Sequence, residues 1–266
     1  MTSLLLYFMK KILKKLILAI PSLLIYCLKA YGFAVQAIFK RDLLYEILSR
    51  LLDENERKTK KVLHKKSTED VVSLEFFTPN TMCQMRAETF STKEPEILKW
   101  IDEHGGESNF WDIGANIGNH TVFFAERFLK IFAYEPVLKN FKILELNTEN
   151  IDNVEIFNFG ISDINEETVI NVSKENMGSS SVVKKPLNTT SIEKIKIKNL
   201  NEESIVNDKI GLVKIDAEGM EYQVLLGISK IIKRDQPIIW YEENIYEKII
   251  DGSSKSISFL KSAGYS

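Results

Sequence analysis

The chain has 266 residues, 44% of them hydrophobic, and a formal charge of −2. That length and apolar content suit one α/β domain with a full core plus an extension. Residues 1–66 hold 14 Lys and Arg against 5 Asp and Glu, leaving 21 against 32 in the remainder, a formal −11. An acidic body lacks the broad basic face of a general nucleic-acid binder, so no nucleic acid is expected as a partner. Two cysteines (Cys27, Cys83) and three scattered histidines (His64, His104, His120) exclude a disulfide framework and a structural zinc site.

At the front, residues 16–28 are uncharged and follow Lys10, Lys11, Lys14 and Lys15. The run is 13 residues long and interrupted by Pro21. A transmembrane helix needs roughly 17 to 25 residues. A signal peptide would want a small-residue cleavage site, and Tyr26, Cys27 and Leu28 match poorly. Basic, apolar helices lying on an anionic membrane surface fit better. A helical arm packed on the domain or on a second subunit, as in a homodimer, is the alternative. Residues 42–52 continue at helical period, and the charged stretch 53–70 reads as helix end and linker. The expected organisation is a basic apolar helical extension at 1–69 and a domain at 70–266. The expected location is the cytoplasm, peripheral to the membrane through residues 1–40.

Residues 71–77 alternate as a strand that Pro79-Asn80 ends, and 82–87 read as a second short strand. Thr92 is placed to cap a helix with Pro95 in its first turn and Ile97, Leu98 and Ile101 inward. Glu88 and Lys93 are either surface residues or the rim of a pocket. The organising stretch is 109–118, N-F-W-D-I-G-A-N-I-G: a buried strand, a glycine turn and a helix. Glycine tolerates positive φ and lets backbone approach a ligand. The spacing is not the G-x-G-x-x-G of a dinucleotide site, which points to a different nucleotide-like cofactor.

Strand-helix units then repeat. A helix is predicted at 119–128, a strand at 131–134 ending in Glu135, a helix at 137–147 and a strand at 154–159. An acidic residue ending the second strand is placed to accept bonds from two ribose hydroxyls. Residues 164–200 break the rhythm with short strands at 168–172 and 180–183 and a Lys/Ile alternation at 194–198. They form either a substrate-recognising insertion or a solvated hairpin. A strand at 210–215 leads into Asp216-Ala217-Glu218-Gly219, then a helix at 220–226 and a strand at 237–241 before Glu242. Acidic residues thus stand at the carboxyl ends of five successive strands, where ligands bind in open α/β sheets.

Four blocks resemble the FkbM family of S-adenosylmethionine-dependent methyltransferases: W-D-I-G-A-N-I-G-N-H at 111–120, A-Y-E-P at 133–136, N-F-G-I-S-D at 158–163 and L-V-K-I-D-A-E-G-M-E at 212–221. The resemblance covers about 70–243. It implies a class I methyltransferase, Rossmann-like sheet and methyl transfer from S-adenosyl-L-methionine, usually to oxygen. By resemblance, Asp112, Gly114, Ala115, Asn116 and Gly118 hold the methionine part of the cofactor. Glu135 binds the ribose, Ser162 and Asp163 lie near the adenine, and Asp216 and Glu218 face the methyl-transfer region. An alcohol acceptor loses a proton, so a base within reach is required. The candidates are Asp216, His120, Glu218 and Glu242, with His120 alternatively a helix cap. Family members continue beyond a segment like 262–265 with a final pair of strands, so the sheet is expected to lack its last one or two. The acceptor is expected to be a small molecule or a glycan, with a sugar, glycan or glycolipid hydroxyl favoured. The alternative function is a weak or inactive methyltransferase-fold scaffold. No metal is expected.

Overall fold

The computed structural model describes residues 58–66, 69–173, 189–202, 208–242 and 254–266. The expectations for 1–57, 180–183 and 243–253 lie outside the described residues.

Two strands open the described chain, β1 (Thr59–Lys65) and β2 (Val71–Phe77), paired antiparallel with Val62 opposite Leu74. β1 corrects the linker expected there, and it belongs to the same compact unit as the rest of the described chain, Lys58–Ser266. Its alternation is hidden because the inward positions are Lys60, Val62 and His64, only one of them aliphatic. The short strand expected at 82–87 is also corrected: helix α1 spans Thr81–Glu88. Asn80, expected to end a strand, caps the helix instead. Its side chain accepts from the Cys83 amide, and Cys83 and Ala87 bury one helical face. A single turn, α2 (Phe90–Lys93), precedes α3 (Pro95–His104). Thr92 therefore lies inside α2 and is not the cap; Glu94 holds that position and Pro95 comes next as the first helical residue. Ile97, Leu98 and Ile101 are buried as expected.

The central sheet is parallel and five-stranded. Its strands are β3 (Asn109–Ile113), β4 (Lys130–Tyr134), β5 (Val154–Phe157), β9 (Ile210–Ile215) and β10 (Ile238–Tyr241), in the order β10-β9-β3-β4-β5. Between β3 and β9 the order reverses, so the crevice at their carboxyl ends is the topological switch point. Among the described residues no strand lies beyond β10. A separate three-stranded sheet holds β6 (Gly160–Ile161), β7 (Glu166–Ser173) and β8 (Thr189–Lys198) in the order β6-β8-β7.

Strand alternation sends side chains to both faces. Trp111, Ile113, Tyr134, Val213 and Ile215 pack against Val224, Leu225, Ile228 and Ile232 of α6 (Glu221–Gly227), α7 (Ser229–Asp235) and the turn between them. Leu260 of α8 (Lys255–Ser262) joins the same core. Phe110, Ile131 and Leu212 face the other way. They meet α3, β2 and the Phe123-Phe124 pair of α4 (Asn119–Phe124). Each of those buried phenylalanines is worth about 1.5–3 kcal/mol. α4 is shorter than the expected 119–128. Beyond it, the Ala125 and Phe128 carbonyls accept from the Asn153 side chain instead of from a continuing helix. α5 (Leu138–Thr148) covers Ala115 and Ala133 through Leu144.

Candidate active site

The turn after β3 is shaped by close approach. Gly114 has φ +78, and a Cβ there would collide with the Asp216 carbonyl oxygen, so only glycine lets the ends of β3 and β9 meet. Gly118 has φ +85, and its missing Cβ makes room for Leu144. The Gly114 and Ala115 amides both donate to the Tyr134 carbonyl at 3.0 Å. From α5, Asn147 donates to the Ile117 carbonyl at 2.6 Å and accepts from the Phe77 amide at 2.7 Å, tying the turn to β2.

Over this turn and the ends of β4, β9 and β10 lies a cavity of about 420 Å³, within the size range of cofactor sites. On the β4 side it is lined by Glu135, Pro136, Val137, Asn140 and the apolar Ile170. The other side is lined by Lys93, Glu94, His120, Lys214, Asp216, Glu218 and Glu242.

Glu135 is buried. Its Oε2 accepts from the Asn116 amide at 2.9 Å and its Oε1 from the Val137 amide at 2.8 Å. Burial nevertheless raises its pKa to about 7. Oε1 also accepts from the Asn140 side-chain amide at 3.4 Å, so the lone-pair capacity left for a further donor is on Oε2. Asn116 (φ 55) and Glu218 (φ 47) are both left-handed without being glycine, and both line the cavity. Burial, with Asp216 and Glu242 adding to it, raises the Glu218 carboxyl to about 7. Burial and then Asp216 push Glu242 upward as well. His120 stacks on Phe124 at 5.7 Å with its Nε2 3.7 Å from Glu94. Burial, followed by Lys214, lowers it to about 4, so its imidazole is neutral at physiological pH.

Of the expected site residues, Gly114, Ala115, Asn116, Glu135, His120, Asp216, Glu218 and Glu242 are brought together around the cavity. Asp112 is not in the wall. It is fully buried behind the turn, accepting from Thr121 Oγ1 at 2.7 Å and facing Lys214 Nζ at 3.2 Å. Gly118 packs on α5 below the turn, and Ser162 and Asp163 bond to each other outside the lining. Lys93 is a rim residue, whereas Glu88 pairs with Lys60 and is a surface residue. Of the insertion, Ile170 reaches the cavity, while Lys194 and Lys196 are exposed between buried Ile195 and Ile197.

Sequence reasoning missed Lys214. It is 2% exposed, directly opposite Asp112 in the β3–β9 register, and 3.6 Å from Asp216. Burial alone would lower its pKa, but Asp112 and Asp216 outweigh that and hold it charged. The K-I-D spacing was a usable signal: it puts the lysine and Asp216 two apart, on one face of the strand. Among the described residues no group of three or more His, Cys, Asp and Glu is arranged to hold a metal.

Residues 112–266 match the methyltransferase FkbM domain, more than half of the chain. No curated protein matches. Among solved structures, the methyltransferase FkbM from Methylobacillus flagellatus KT is similar at 17% identity, over 51% of this chain and 32% of that one, with a TM-score of 0.36. The precorrin 8w decarboxylase of Methanobacterium thermoautotrophicum aligns at 13% identity over 66% and 73%, TM-score 0.40. The Haemonchus contortus phosphoethanolamine N-methyltransferase 1, in complex with phosphoethanolamine and S-adenosylhomocysteine, aligns at 12% over 67% and 32%, TM-score 0.36. The chain thus spans about a third of the length of the first and third of these proteins.

Proposed function

From a chain that belongs to the FkbM methyltransferase family, we propose an S-adenosylmethionine-dependent O-methyltransferase that acts on a hydroxyl of a sugar, glycan or glycolipid. The observation that carries the reading is Glu135, a buried carboxylate oriented by two backbone amides at the end of β4. It faces a cavity whose opposite end is lined by Asp216, Glu218 and Glu242. The residues fit the cofactor: unused acceptor capacity on Glu135 for ribose hydroxyls, an apolar Val137–Ile170 wall beside it, and carboxylates that favour a cationic sulfonium.

The bound cofactor supplies an electrophilic methyl group. The chain's own work is to align an acceptor oxygen with it and to take the acceptor's proton. Glu218 is best suited as base, because a carboxyl near 7 is poised for proton transfer at neutral pH. Asp216 lies 3.6 Å from the Lys214 ammonium and lines the cavity, a position suited to orienting the acceptor. His120, neutral and weakly basic, offers a hydrogen bond to the acceptor.

Calorimetric titration with S-adenosylmethionine tests the reading. Micromolar binding is expected, weakened at least tenfold (about 1.4 kcal/mol) by Glu135→Ala. Methyl transfer from labelled cofactor to a panel of glycans and glycolipids then identifies the acceptor. No binding by folded protein sinks the enzyme reading and leaves the scaffold alternative. We extend the proposal to a peripheral position at the cytoplasmic face of a membrane, supported by the basic and apolar composition of residues 1–40; failure of the full chain to co-sediment with anionic vesicles would remove that part.

A further inference from the structure

Three cationic side chains line the cavity: Arg86, Lys93 and Lys214. Lys93 Nζ is 2.8 Å from Glu94, and Lys214 lies between Asp112 and Asp216. Arg86, in the last turn of α1, has no salt-bridge partner among the described residues, and its Nε is buried without a hydrogen bond. Its charge acts on Glu218 through space. Asn119 is in a similar state, with both amide atoms, Nδ2 and Oδ1, buried and unbonded in the same lining. Buried polar atoms almost always have partners. A guanidinium Nε and a whole side-chain amide left unsatisfied in one cavity are therefore matched to something that enters it.

Their position says which part of a ligand they meet. Cys83, one turn before Arg86 on the same face of α1, packs against Ile117 of the glycine turn and Ile143 of α5. Arg86 is thereby placed over the turn at 114–118. Asn119 is the first residue of the helix that leaves that turn. Five carboxylates line the same cavity, on Glu94, Glu135, Asp216, Glu218 and Glu242. An anionic group entering among them needs an uncommitted cation, and a guanidinium meets a carboxylate with two parallel donors.

We infer that Arg86, together with Asn119, receives the amino-acid end of the cofactor. The guanidinium takes the α-carboxylate, while the Asn119 amide donates to that carboxylate and accepts from the α-ammonium. This rests on the cofactor reading proposed above.

The test compares two ligands by calorimetry. S-adenosylhomocysteine carries the amino acid; 5′-methylthioadenosine has the same thionucleoside without it. In Arg86→Gln, affinity for S-adenosylhomocysteine is expected to fall at least tenfold while that for methylthioadenosine changes less than twofold, which also shows the variant is folded. Asn119→Ala is expected to act in the same direction, about three- to tenfold, and Arg86→Lys to restore part of the loss. Equal loss of both ligands in Arg86→Gln, or no loss of either, overturns the inference. So does unchanged S-adenosylhomocysteine binding with impaired methyl transfer, which would assign Arg86 to the acceptor. If wild-type protein binds neither ligand, the cofactor reading itself fails, an outcome distinct from all of these.

Discussion

Glu135 makes cofactor binding a proton-coupled event. In the unliganded protein its carboxyl is held at about 7 by burial, against the pull of the Val137 and Asn116 amides. Ribose hydroxyls donating to the carboxylate favour the ionised form, so the bound value falls and a proton leaves as ligand enters. With a bound value of about 5 or lower, the observed association constant follows the ionised fraction of free protein, about 0.1 at pH 6, 0.5 at pH 7 and 0.9 at pH 8. Affinity therefore rises about tenfold from pH 6 to 8, or about 1.4 kcal/mol. About half a proton is released at pH 7. S-adenosylhomocysteine is the ligand to use, because its neutral thioether does not engage the Glu218 carboxyl, which is also near 7. Calorimetry in buffers of different ionisation enthalpy counts the proton directly. Glu135→Gln should flatten both the profile and the proton count, with Glu218→Gln leaving them in place. A flat wild-type profile with binding intact, or a slope that survives in Glu135→Gln, refutes the reasoning.

Two other perturbations probe the charged groups behind and above the turn. Lys214→Met leaves the fully buried Asp112 carboxylate without the ammonium 3.2 Å away. It should cost about 3–5 kcal/mol in urea denaturation, and adding Asp112→Asn should recover about 2 kcal/mol or more of that, since an unpaired buried charge is what the single variant suffers. A loss below about 1 kcal/mol would show the pair to be dispensable. Glu218→Gln should lower kcat by about 10²–10⁴-fold, the range for a lost general base, with affinity for the neutral S-adenosylhomocysteine nearly unchanged. In the wild type kcat should rise with pH as Glu218, whose carboxyl burial raises, loses its proton, and that rise should vanish in the variant. Retained turnover would move the base to Asp216 or Glu242.

Much of this fold was legible because buried parallel strands announce themselves. Residues 110–113, 131–134 and 210–215 are short runs, apolar but for Asp112, Gly211 and Lys214, and each is a strand within a residue of its expected bounds. Where polar residues face inward the signal fades. β1 buries His64 and half-buries Lys60, so its alternation passes for a charged linker. In α1 the sequence M-C-Q-M-R-A mimics a strand's alternation, while the decisive feature is an Asn80 cap whose meaning depends on which element comes after it. A short strand ahead of the domain would give Arg86 no reason to overhang the glycine turn; the capped helix does.

The acidic residues show where local pattern stops and pairing begins. They stood at the carboxyl ends of five predicted strands, which is a property of one chain segment at a time. Their separation into different roles is a property of register. Asp112 meets Lys214 because β3 and β9 align across a sequence gap of 102 residues, and that contact draws its carboxylate behind the turn and out of the cavity. Asp216, two residues beyond the lysine, reaches the same ammonium from the cavity side. One buried cation thus links the residue that braces the turn to one that lines the cavity. Asn116 and Glu218, left-handed without being glycine, lie in the two turns that this pair of strands brings together. Strained backbone of that kind persists only where surrounding structure enforces it. Here the enforcement is the β3–β9 junction, where the Asp216 amide donates to the Ile113 carbonyl at 3.0 Å and the Gly114 backbone presses against the Asp216 carbonyl.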